Sequence, residues 1–173
     1  MAKSDSFFVR AILEAPLAST DQVEIDLGAF VDVQDKTVLR IHNIAVQYTD
    51  ATGIIIDITA TAATNSQVRW QLTTQSQSAL VTADDRSVIA TGALTLYNAN
   101  SAAQAGSVTF GESIDIAPQH WSKGYLIATE SIFLLGETEV NMASGAVNVA
   151  LVLECSTETM GTSQAMALAM SQQ

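Results

Sequence analysis

The sequence predicts an all-β fold, a two-sheet antiparallel β-sandwich. Three observations lead there. Segments alternating apolar and polar residues recur along the whole chain, and helical periodicity is scarce. Gly, Asn, Asp and Ser cluster between those segments. Apolar residues reach 48% while charged residues are only 14%, the balance of a well-buried chain rich in Ala, Thr, Ser, Val and Ile. At 173 residues the chain is a single domain large enough for a full core.

The elements follow in order. "SFFVRAIL" (6–13) reads as a short first strand, set apart by Pro16. In "QVEIDLGAF" (22–30), Val23, Ile25 and Leu27 alternate with polar residues, the period of a half-buried strand. "KTVLRIHNIAVQYTD" (36–50) puts Leu39 and Ile41 on one face, then Ile44, Val46 and Tyr48. That switch predicts a bulge or bend near Asn43, because one extra residue reverses sidedness. "GIIIDITATA" (53–62) follows a short "DATG" turn and predicts a hairpin with it. "QVRWQLTTQ" (67–75) places Val68, Trp70 and Leu72 on one face. "SVIATGALTLYNA" (87–99) is a strand in which Gly92 marks a bend or a close approach. "SIDIAP" (113–118) is short and closed by Pro118. "GYLIATESIFLLGETE" (124–139) and "GAVNVALVLECSTE" (145–158) read as two long strands. The expected interior comprises Val23, Ile25, Leu27, Leu39, Ile41, Ile56, Ile58, Trp70, Leu94, Leu96, Ile114, Leu126, Val149, Leu151 and Leu153. Without the first segment about eight strands remain, the number of a jelly roll.

Charge excludes one class of partner. The net charge is −11, and the seven cations (Lys3, Arg10, Lys36, Arg40, Arg69, Arg86, Lys123) are scattered singly. Nucleic-acid binding draws on clustered cations that release counterions, so no direct nucleic-acid binding is expected. No segment reaches the roughly 18 consecutive apolar residues of a membrane span. Arg10 and Glu14 interrupt what would be the apolar core of a signal peptide, so synthesis in a cytoplasm is expected.

Candidate chemistry is thin. A lone cysteine, Cys155, lies in an apolar run and reads as a small buried hydrophobe. His42 and His120 are the only histidines, short of the about four ligands a zinc site needs. No GxSxG, GxGxxG or GxxxxGK[ST] pattern occurs. Asp84 and Asp85 are weak calcium candidates, since adjacent loop carboxylates supply oxygens but few of the about six to eight required. Glu137 with Glu139, and Glu154 with Glu158, read as solvated edges; glycosidase pairs face an aromatic-lined cleft. Trp70 is in phase with core residues, whereas Trp121, in the loop "APQHWSKG", is the exposed one, able to stack on a sugar, cap the sandwich or fill a neighbour's pocket. No catalytic residue, metal or cofactor is expected.

The short N-terminal arm (1–16), about eight strands and a neutral C-terminal arm (159–173) together resemble viral single jelly-roll capsid proteins. The likeness covers roughly residues 7 to 158 and is one of pattern, without a signature motif. It implies a subunit that assembles with copies of itself into a shell in the virion, beside other coat proteins or over a membrane layer. Many small RNA viruses of this kind carry a basic N-terminal arm for the genome. Here that arm holds only Lys3 and Arg10. The subunit-interface candidates are Phe7, Phe8, Trp121, Met160, Met166, Leu168 and Met170. Residues 160–173 carry Met and Leu at a strand period, yet are built from strong helix formers. Either conformation needs a surface to dock on, so the arm is expected to pack on a neighbouring subunit or layer; the alternative is that it folds back on its own sandwich. Competing readings of the chain are a microbial surface or filament-forming β-sandwich and a carbohydrate-binding module.

Overall fold

A computed structural model describes residues 5–54, 56, 65–98, 108–142 and 145–172. Among the described residues, nine strands form two antiparallel sheets. They are β1 (Phe7–Ala15), β2 (Thr20–Asp26), β3 (Thr37–Thr49), β4 (Asn65–Thr73), β5 (Val88–Asn98), β6 (Val108–Ile116), β7 (Tyr125–Ile127), β8 (Ser131–Thr138) and β9 (Val147–Thr159). One sheet has the order β1-β9-β3-β7, the other β2-β8-β4-β5-β6. The pairs β1·β9, β2·β8, β3·β7 and β4·β5 are nested, as if one long hairpin had been wound on itself. With β6 as an added edge strand, this is jelly-roll connectivity. An α-helix, α1 (Thr162–Ser171), follows β9.

The core lies between the sheets. Ile25, Leu27, Leu39, Ile41, Ile56, Trp70, Leu94, Leu96, Val149, Leu151 and Leu153 are buried as expected. Val23 and Ile114 are half-buried, and Ile58 lies outside the described residues, as does most of the 53–62 segment and its hairpin. Leu126 is half-buried for a different reason. It is opposite Arg40 on the outward face of its sheet and packs beneath α1.

The switch of face in the third strand is a bulge. Ile41 pairs with Cys155 and Asn43 with Glu154, leaving His42 as the extra residue. Gly92 marks a close approach. A Cβ there would lie 2.7 Å from the Ser113 carbonyl oxygen and 2.8 Å from the Trp70 ring. Trp70 is fully buried, and its Nε1 donates to the Tyr48 hydroxyl at 2.9 Å.

Three expectations need correction. Residues 124–139 are not one strand but two in different sheets. The chain crosses at Ala128–Glu130, where the Leu27 N–H bonds the Glu130 carbonyl and the Thr129 hydroxyl donates to the Ser131 carbonyl. Of the arm expected at 1–16, Phe7–Ala15 is not detached: it pairs residue by residue with β9, and Phe7 stacks on Phe30 at 4.7 Å between ring centres. The C-terminal segment is a helix docked on its own sandwich, with Ala165 buried against Val38 and Ala128, and Met160 and Leu168 half-buried around them. A helix satisfies its own backbone, which an isolated strand cannot do.

Candidate functional site

The outward face of the β1-β9-β3-β7 sheet carries the most organised polar chemistry. Alternation along β3 turns Val38 and Arg40 outward, and along β9 turns Glu154, Ser156 and Glu158 outward. Helix α1 covers the Val38 end. Beyond it lies an open groove of about 610 Å³, bordered by Arg40, His42, Trp121, Lys123 and Glu154.

Arg40 and Glu158 form a two-pronged pair, Nε to Oε1 at 2.6 Å and Nη2 to Oε2 at 2.7 Å. The Glu158 side chain is 1% exposed and that of Arg40 11%. The third guanidinium nitrogen donates to the Lys123 carbonyl, tying the 121–124 turn to the sheet. Gly124 closes that turn with φ of +63°, and a Cβ there would be 2.2 Å from the Ile41 carbonyl oxygen, so only glycine fits. The bulge aims His42 so that its Nε2 lies 2.8 Å from the Ser156 hydroxyl. On the far side of the bulge, the Gln119 amide acts as a surrogate strand. Its Oε1 accepts from the Ile44 N–H at 3.2 Å and its Nε2 donates to the Ile44 carbonyl at 3.1 Å. This hydrogen-bonded polar floor lies beside the half-exposed Trp121 indole. Ser156 is buried and offers no accessible nucleophile.

The other sequence candidates are dispersed. Asp84 is exposed, and Asp85 is occupied by the N–H and hydroxyl of Ser87, which hold its carboxyl below the usual carboxylate range. Among the described residues no three His, Cys, Asp or Glu converge to hold a metal. Glu137 accepts from Arg69 at 3.1 Å and from Thr20 at 3.1 Å, and Glu139 from Gln67 at 3.0 Å; each is held by its neighbours. Glu158 is not the solvated carboxylate expected, because it is buried on the outward face against Arg40. Cys155 is fully buried, which pushes its thiol up to about 12. His120 is exposed at the end of a short 3-10 turn, Pro118–His120.

The interface candidates divide. Phe7, Met160 and Leu168 are engaged within the chain. Phe8, Trp121, Met166 and Met170 are exposed, at 55%, 55%, 56% and 75%. Sequence reasoning missed two devices. One is the Arg40–Glu158 pair, whose one signal was a lone cation inside the apolar run "VLRIH". The other is Gln172, which is buried in the seam between the sheets. Its amide accepts from the Ala128 N–H and donates to the Leu126 carbonyl, while its own carbonyl accepts from the Thr74 hydroxyl and from the Gln75 side-chain amide. No protein-family model matches the chain, and no curated protein matches it.

Proposed function

We propose that this protein is a structural subunit that self-associates into a closed shell, as a viral capsid protein does. The observation that carries the reading is the nested strand order of the two sheets. Its warrant is analogy of fold. Exposed apolar side chains on two elements add to it. Phe8 and Ile12 project from one sheet, and Met166 and Met170 from the helix. The partners of this reading are copies of the chain, with other coat proteins or an underlying membrane layer as further neighbours. The net charge of −11 argues against the genome as a direct partner. Sedimentation velocity over a rising concentration series, with negative-stain microscopy of the heavy fractions, tests it. Closed particles are expected. A protein that remains an 18.3 kDa monomer at every concentration overturns the reading.

The Trp121 groove favours a second reading, a carbohydrate-binding module. An exposed indole beside Arg40, His42 and Glu154 offers a stacking face next to hydrogen-bonding groups. Titration with a glycan panel distinguishes it. Saturable binding that is lost in Trp121→Ala supports the module, and no binding at millimolar sugar removes it.

A further inference from the structure

We propose that the free edge of β1 pairs antiparallel with β1 of a second copy, about a two-fold axis through Ile12, making one continuous sheet across the two subunits. This deepens the self-association reading and depends on it.

Strand β1 is a regular edge. It keeps register with β9 over nine consecutive residues without a bulge, and contains no Pro and no Lys. Edges of that length are ordinarily blunted by such features. Its outward side chains are Phe8, Arg10, Ile12 and Glu14, all exposed, alternating with inward Val9, Ala11, Leu13 and Ala15. Arg10 packs 5.9 Å from the centre of the Phe8 ring, and neither Arg10 nor Glu14 has an ion-pair partner among the described residues.

The charges select one register. With Ile12 facing its own copy, Arg10 of each strand lies opposite Glu14 of the other, twice over by symmetry, and Phe8 lies opposite Pro16. Facing side chains in such a ladder have Cβ atoms about 4.5–5.5 Å apart, within reach for both ion pairs and for the central isoleucines. Centring on Arg10 or on Glu14 instead sets like charges against each other. Centring on Ala11 or Leu13 sets a charge against Ile12.

The other sheet edges do not offer this. Strand β2 carries Asp21, Glu24 and Asp26, and β6 carries Glu112 and Asp115, so each would repel its copy. Strand β7 is three residues long. Among the described edges, β1 alone carries both signs in a self-complementary arrangement.

The test uses the full chain. Ile12→Cys places a thiol on the axis, while the native Cys155 is buried and silent. Under mild oxidation or with a short bismaleimide, I12C is expected to form a covalent dimer, and the exposed control Val140→Cys is not. Adding Arg10→Glu to I12C sets Glu against Glu at both ends and is expected to abolish the dimer. Adding Glu14→Arg as well restores the pairing and returns it. All the substituted side chains are exposed, and circular dichroism checks that each variant keeps its β spectrum. If particles sediment but I12C links no better than V140C, or if R10E leaves linking intact, the edge proposal fails while self-association stands. A monomer at every concentration overturns both.

Discussion

Removing the Arg40 guanidinium should be among the most damaging single changes to this fold. Its partner Glu158 is almost wholly buried, and both carboxylate oxygens bond Arg40 at 2.6 and 2.7 Å. In Arg40→Leu that carboxylate keeps its burial and loses its cation. Stranding one partner of a buried pair costs about 3–5 kcal/mol. Domains have only about 5–15 kcal/mol in total. At about 2–4 °C per kcal/mol for a chain of this size, the melting temperature should fall by about 10 °C. Burial without the Arg40 guanidinium disfavours the charged form of the Glu158 carboxyl. Stability of R40L should therefore fall as pH rises from 5 to 7, so the gap to the parent widens in that window. Arg40→Leu with Glu158→Leu removes both charges and should recover most of the loss, since apolar replacements of buried pairs are often near neutral. Urea unfolding followed by tryptophan fluorescence at both pH values reads all three proteins. A single variant within about 1 kcal/mol of the parent, or a double variant as unstable as the single, would refute the reasoning.

Three further outcomes are expected. Gly92→Ala forces a methyl against the Ser113 carbonyl and the buried Trp70 ring, and should cost about 1–3 kcal/mol in urea unfolding. Gln172→Ala leaves the buried Ala128 N–H without its partner, costing about 1–3 kcal/mol; amide exchange should accelerate in residues 162–171 while the sheets keep their protection. The Cys155 thiol should resist a disulfide reagent at pH 8 until urea is added, because burial pushes it up to about 12. The same burial holds its proton in the folded state while the unfolded thiol, at 9.0, releases it. Stability should then decline above pH 9, by about 1.4 kcal/mol per pH unit, until the folded thiol itself ionises. Burial raises Tyr48 as well, which acts in the same direction at higher pH.

Local signals were legible, and distant ones were not. Alternation placed most strands, and the change of face after Ile41 predicted a bulge near Asn43, one residue from His42, where it lies. Gly92 stood out because a glycine inside an apolar strand needs a reason, and Trp70 supplies it. The break between β7 and β8 was hidden because "LIATESIFLL" stays apolar on both sides, and the crossing at Ala128–Glu130 is fixed by contacts with Leu27, about a hundred residues earlier. Position in a sheet was equally illegible in β1. Pro16 suggested a detached arm, but β9 supplies nine partners from the other end of the sequence. The candidate groove was the least readable. Arg40 and Glu158 are 118 positions apart, and no spacing rule joins them. The tail's destination depended on Gln172, whose amide finds its partners only after the sheets are in place.

The nested pairing has a consequence for how the protein is made. Strand β9 lies between β1 and β3, so one of the two inner strands of that sheet is the last of the nine strands in chain order. The β4–β5 hairpin closes a short loop and can form early, whereas β1 must wait for a partner some 140 residues downstream. During translation the first strand emerges with both edges bare, and the third has only the three-residue β7 to pair with before β9 arrives. Folding of that sheet therefore waits on a pairing between distant parts of the chain, slow for its size and exposed to misassociation. The surface on which subunits would meet is absent until the ribosome has delivered residue 159.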